Sequence, residues 1–160
     1  MQPNSDFKDL LSILNEEKVK YLIVGGYAVM HHTEPRYTKD LDIWISTEHT
    51  NATSVYASLR RFGAPLEGIT VEDFETPDLV YQLGRPPARV DIIMGLKGVG
   101  FEECWNRRVQ ADFGGVMTYF ISREDLVINK RVLGRPQDII DVESLSLSEQ
   151  VSGNWNPPAT

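Results

Sequence analysis

At 160 residues and 41% hydrophobic content, the chain carries enough apolar material for one domain with a packed core and too little for two. A formal net charge of -7 argues against loose electrostatic attachment to nucleic acid, and the single cysteine, Cys104, excludes an internal disulfide. With no signal-peptide pattern at the N-terminus and no apolar run near the ~18 residues that span a bilayer, the expectation is a soluble, cytoplasmic protein that does not enter membranes.

Phe7, Leu10, Leu11, Ile13 and Leu14 recur at spacings of three and four, which predicts an amphipathic helix over residues 6–17, with Ser5 available as its N-cap. The short apolar run Tyr21 to Val24 predicts a buried strand. Gly25 and Gly26 then lead into a helical segment reaching His32, and a polar loop containing Pro35 delivers Arg36 and Thr38. A second strand is expected over Leu41 to Ser46, followed by a helix from Thr50 to Phe62 that stops at Gly63, and a weakly signalled turn of helix at residues 71–74.

Leu79 to Leu83 and Arg89 to Met94 are β-rich runs separated by Gly84, Pro86 and Pro87, the pattern of a hairpin or a closely paired connection. A helix over 101–107 precedes a second hairpin, Val109 to Phe113 and Val116 to Ile121, folded at Gly114-Gly115. Ser122, with Asp125 three residues on, predicts a capped helix that ends at Gly134, and Pro136 opens a last helix to about Leu145. The expected organisation is one domain over 1–145 and a flexible tail over 146–160.

The chemistry gathers on the stretch from Tyr21 to Ile45. Asp40 and Asp42 stand two residues apart on a predicted strand, so their carboxylates point to the same side while Leu41 turns into the core. Close like charges repel unless a cation stands between them, which makes this pair a metal-site candidate. Gly25-Gly26 at a strand-to-helix junction lets a phosphate approach the free N–H groups of the helix start. On the later strand Arg89, Asp91 and Ile93 share one face, and Asp91, an acid on an apolar strand, needs a partner. If Asp40, Asp42 and Asp91 converge, they can hold two Mg²⁺ ions about 3.5–4 Å apart, with Asp91 the better placed general base.

These residues, Gly25-Gly26, Asp40-Leu41-Asp42 and the later Asp91, resemble the minimal signature of the DNA polymerase β-like nucleotidyltransferase superfamily. The resemblance implies an α/β (α+β) nucleotidyltransferase fold, a small mixed sheet flanked by helices. It also implies Mg²⁺-dependent transfer of a nucleoside monophosphate from an NTP such as ATP. Arg36-x-Thr38-x-Asp40-Leu41-Asp42-Ile43 is similar to the form found in small bacterial members, both the toxins of type IV toxin/antitoxin (abortive-infection) systems and the lincosamide-type antibiotic nucleotidyltransferases. The run from Asp125 through Lys130 to Arg135, Asp138 and Asp141 resembles the ending of the toxins, which implies functional roles for Lys130 and for Asp138 or Asp141. Lys130 then contacts a triphosphate oxygen, Asp138 orients Lys130 or Arg135 from a first helical turn, and Arg36 and Thr38 either flank the nucleotide or pin their loop. Two departures stand out: Gly-Gly replaces the commoner Gly-Ser, and no added domain grips an acceptor.

Each feature has a plainer reading. Gly25-Gly26 taken alone is an ordinary tight turn, Asp91 an edge acid, Lys130 a solvated helix end, and Asp138 and Asp141 helix-start charges. His31 and His32 face different ways on a helix and make a poor zinc pair; Trp44 reads as packing and Cys104 as an inert, half-buried residue. Three functions remain open: transfer to an RNA end or a protein, with a cognate antitoxin as partner; transfer to a small molecule; or a nucleotide-binding module without catalysis. A homodimer is compatible with so small a domain.

Overall fold

The computed structural model of the chain describes residues 4–35, 40–86 and 88–154, with side chains described to residue 148. In chain order the elements are α1 (Ser5–Glu16), β1 (Tyr21–Val24), α2 (Gly25–His32), β2 (Asp40–Ile45), α3 (His49–Phe62), a 3₁₀ turn (Val71–Glu75), β3 (Val80–Leu83), β4 (Arg89–Ile93), α4 (Phe101–Asn106), β5 (Val109–Phe113), β6 (Val116–Phe120), α5 (Arg123–Leu133) and α6 (Pro136–Asn154).

Six strands form one mixed sheet in the order β3-β4-β2-β1-β6-β5, flanked by helices as the α/β expectation holds. The two hairpins pair antiparallel, β3 with β4 and β5 with β6. Inside them β1 and β2 are antiparallel to each other, whereas β2–β4 and β1–β6 are parallel. Central strands covered on both faces read as unbroken apolar runs, and Tyr21, Leu22, Ile23 and Val24 are all buried. On β2, Leu41, Ile43 and Ile45 fill the core from alternate positions. Trp44 is buried too and meets Phe101 edge to face, as packing.

Helix α1 buries Phe7, Leu10, Leu11 and Leu14, the spaced apolar set read from the sequence. Its cap is Asn4 rather than Ser5: the Asn4 side chain accepts the Asp6 N–H at 2.7 Å, and Ser5 is already the first helical residue. Ser122 does cap α5, accepting the Asp125 N–H, and Gly134 ends that helix at φ 63°. Helix α6 runs on to Asn154 instead of stopping near Leu145, since no glycine or proline interrupts it before Gly153. Asn51 on α3 clips the far ends of β1 and β2 together. Its Oδ1 accepts the Lys20 N–H at 2.8 Å, while its Nδ2 donates to the Lys20 and Ser46 carbonyls at 3.1 and 2.8 Å. Among the described residues, no helix is long and apolar enough to cross a membrane.

Candidate active site

The parallel register of β2 and β4 sets Asp42 directly beside Asp91 and Asp40 beside Arg89. On the other side of β2, Asp42 lies opposite Val24, the last residue of β1, and Gly25 immediately opens α2. Two acid-bearing strands and one helix start therefore meet at a single point, and Asp42 stands at its centre.

Gly25 shows why glycine is needed there. Its φ is 67°, in the left-handed region that side chains disfavour, and a Cβ at this position would collide with Asp42 Oδ2. Val24, at the N-cap, provides no side-chain hydrogen bond, so the first N–H groups of α2 are left uncapped by it. A helix start of this kind, opened by a residue with no side chain, suits a phosphate oxygen.

Burial pushes the Asp42 carboxyl up to about 7, and the charges of Asp91 and Asp40 push the same way against the weaker pull of Lys130 and Arg89. Among the described residues, no hydrogen bond helps to hold its charge. Asp40 and Asp91 are treated differently. Arg89 reaches both: its guanidinium stands 3.0 Å from Asp40 Oδ2 and donates to the two oxygens of Asp91 at 3.1 and 3.2 Å. Arg89 is thus the partner that the lone strand acid required, supplied by its own strand two residues earlier.

This arrangement alters the three-acid expectation. Among the described residues, no three acidic, imidazole or thiol side chains stand gathered as a ready metal cluster, and the Arg89 guanidinium bridges Asp40 and Asp91. The donor set itself fits Mg²⁺. Carboxylate oxygens are the hard ligands this ion takes, Asp40 Oδ1 is buried with no hydrogen-bond partner among the described residues, and Asp42 is desolvated beside two further acids.

A second charged cluster joins α5 to α6. The inner face of α5 is polar as well as apolar, burying Asp125, Asn129 and Lys130 with Leu126. Lys130 Nζ lies 3.3 Å from Asp138 and 3.2 Å from Asp141, and all three side chains are buried. Asp138 also takes the Arg135 side chain and backbone N–H, and this Arg135 bonding holds its carboxyl below the usual range despite burial. Asp141 Oδ1 accepts from Gln137 Nε2 at 2.9 Å. Asp138 therefore orients both Lys130 and Arg135, and the Lys130 charge still reaches Asp42. Nearby, Arg107 holds the buried Asp125 with two hydrogen bonds at 2.9 and 3.0 Å, a pairing the sequence reading missed because the partners are 18 residues apart.

Arg36 and Thr38, the predicted nucleotide flank, lie outside the described residues. His31 stacks on Phe120, and a ring nitrogen of His32 meets the Ile121 carbonyl at 2.9 Å; neither joins the acids. Cys104 is fully rather than half buried, and burial together with the Asp125 charge pushes its thiol up to about 12, so it is no nucleophile.

A mixed sheet with paired acid strands beside a glycine-opened helix is the build of a nucleotidyltransferase domain. Solved structures agree on that fold. The lincomycin-bound lincosamide antibiotic adenylyltransferase LnuA is 17% identical with a TM-score of 0.54, covering 91% of this chain and 97% of its own. ANT(2″)-Ia in complex with adenylyl-2″-tobramycin is 15% identical with a TM-score of 0.58, over 93% and 88%. An antigenic nucleotidyltransferase-like protein from Paracoccidioides brasiliensis is 16% identical with a TM-score of 0.51, over 94% and 78%. No curated protein matches the chain in sequence. The particular family is settled by its sequence model: residues 5–156 match the nucleotidyltransferases of unknown function, DUF6036, and the chain belongs to that family.

Proposed function

We propose that this nucleotidyltransferase moves a nucleoside monophosphate from an NTP to an acceptor hydroxyl, with Asp40, Asp42 and Asp91 holding Mg²⁺. The observation that carries this reading is the register that sets Asp42 beside Asp91 and one strand away from the Gly25 helix start. The triphosphate lies against Gly25 and Gly26, where N–H groups and the positive helix end favour anionic oxygens. The acceptor oxygen bonds to the α-phosphorus, the bond to pyrophosphate breaks, and the hydroxyl proton passes to Asp91. Bound Mg²⁺ supplies charge neutralisation of the triphosphate and acidifies the hydroxyl. Lys130 has spent two of its three N–H donors on Asp138 and Asp141, which leaves one for a triphosphate oxygen. Nucleotide binding is also assigned to Arg36 and Thr38 on the resemblance alone.

For the acceptor, the toxin-like reading is an RNA end or a protein, with an antitoxin as partner, and it rests on the Lys130, Asp138 and Asp141 ending. A small hydroxylated compound is the second reading. It is favoured by the two antibiotic adenylyltransferases among the structural neighbours, one of them matched over 97% of its length without an added acceptor domain. The same neighbours make ATP the first donor to try.

The test is titration calorimetry of the four NTPs with Mg²⁺ on wild type and on Asp40→Ala/Asp42→Ala, followed by transfer of labelled nucleotide to RNA, to protein and to a panel of hydroxylated small molecules. Metal-dependent binding lost in the double variant supports the site. Absence of binding for all four NTPs in wild type sinks the proposal. Whichever acceptor takes the label decides between the two readings.

A further inference from the structure

Three acids meet at the site, and the structure neutralises them unequally. Arg89 ties up both oxygens of Asp91 and one of Asp40, but the second Asp40 oxygen is buried without a hydrogen-bond partner and Asp42 has no hydrogen bond at all among the described residues. Among the described residues, one guanidinium therefore serves, in contact, a cluster that it cannot satisfy. Its charge is single and spread over a plane, whereas a compact divalent ion carries twice the charge and accepts six oxygen ligands in near-octahedral order. The Arg89 side chain is 32% exposed at the end of its strand, so it has a route out to solvent, while the Asp91 side chain beneath it is only 13% exposed.

Resting on the metal reading above, we infer that Arg89 is a built-in counter-cation that is exchanged for the divalent ion. In the metal-free enzyme it holds Asp40 and Asp91 in place against their mutual repulsion; on loading it swings outward and gives both carboxylates to the ion. Arg89 is a positioning residue, and its cost to the enzyme is a weaker apparent affinity for metal, because only the fraction of molecules with Arg89 withdrawn can bind.

Mn²⁺ binding followed by the electron paramagnetic resonance of the free aqua ion tests this, on full-length wild type, Arg89→Gln, Arg89→Lys and Asp42→Asn, together with melting temperatures in EDTA. Arg89→Gln is expected to bind Mn²⁺ more tightly than wild type by roughly five-fold or more, the low end of typical site coupling. It is also expected to melt at a lower temperature in EDTA, with Mn²⁺ closing that gap. Arg89→Lys keeps the charge but cannot grip two oxygens at once, so it should fall between, and it carries the comparison if Arg89→Gln does not fold. Wild-type or weaker Mn²⁺ affinity in the Arg89 variants overturns the exchange while leaving the metal site standing, provided that Asp42→Asn abolishes binding. If neither wild type nor any Arg89 variant binds Mn²⁺ saturably, the metal reading itself has failed and the exchange falls with it.

Discussion

The molecule contains two carboxylate clusters that differ in how completely they are paired. Between α5 and α6, Asp138 and Asp141 face Lys130 and Arg135, two acids against two cations, with side-chain and backbone hydrogen bonds adding to the ion pairs. Between β2 and β4, among the described residues, three acids face one guanidinium in contact and one more distant lysine, and one Asp40 oxygen has no hydrogen-bond partner. On the proposed reading, the under-neutralised cluster is the one that takes a cation, since buried charges are tolerated when paired.

The widest separation between the two clusters is expected from Asp42→Asn. It should cut nucleotidyl transfer by roughly a thousandfold or more, the scale of losing a central electrostatic group. Its metal-free melting temperature should not fall, because a neutral isostere removes a poorly solvated charge. Retained transfer in a radiolabel assay would dissolve the distinction. The opposite behaviour is expected of Lys130→Met, where Asp138 and Asp141 lose their buried cation: urea unfolding should show a loss of ~3–5 kcal/mol. Adding Asp141→Asn to that variant should restore part of it.

Gly25→Ala sharpens the comparison at the strand cluster alone. The new Cβ meets Asp42 and the backbone is left-handed there, so a loss of ~1–3 kcal/mol in urea is expected, with weaker nucleotide binding. The pH dependence follows from the raised Asp42 carboxyl. The folded protein holds that proton up to about 7 and the unfolded chain releases it near 3.8, so the metal-free fold loses stability as pH rises between those values, and the loss is complete above about 7. Melting curves across that window in EDTA should show the decline, and Asp42→Asn should flatten it. The smallest effect belongs to Arg61→Gln. Arg61 pairs with Glu16 and Glu17 on the surface, and its loss should leave the melting temperature unchanged within error.

Much of this was legible in the chain. The strand acids at 40, 42 and 91, the glycine junction, both hairpins and the Ser122 cap follow from period-two spacing and turn chemistry, which are local. What escaped was non-local or compensatory. Arg89 was visible on the same face as Asp91, but nothing in a strand pattern says that a neighbour two residues away will fold back onto an acid instead of reaching for solvent. Lys130 taken alone reads as a solvated helix end; the resemblance already tied it to Asp138, and what local spacing does not show is that α6 brings Asp141 over it as well. Asn51 looks like an ordinary helix residue, and only the arrangement of three chain segments makes it a clip. The parallel register that puts Asp42 beside Asp91 depends on a crossover through α3 and β3, which local spacing does not encode.

The position of β2 inside the sheet sets the lifetimes of the site's parts. Its backbone is bonded to β1 on one side and β4 on the other, so the amides around Asp42 exchange with solvent only when the sheet itself opens, on the slow clock of global unfolding. The partly exposed Arg89 side chain obeys a far faster clock, with exposed side chains turning over in picoseconds to nanoseconds and even a tethered one well before the fold opens. Hydrogen exchange should therefore report the amides around Asp42 among the slowest in the protein, however often the Arg89 side chain above them rearranges.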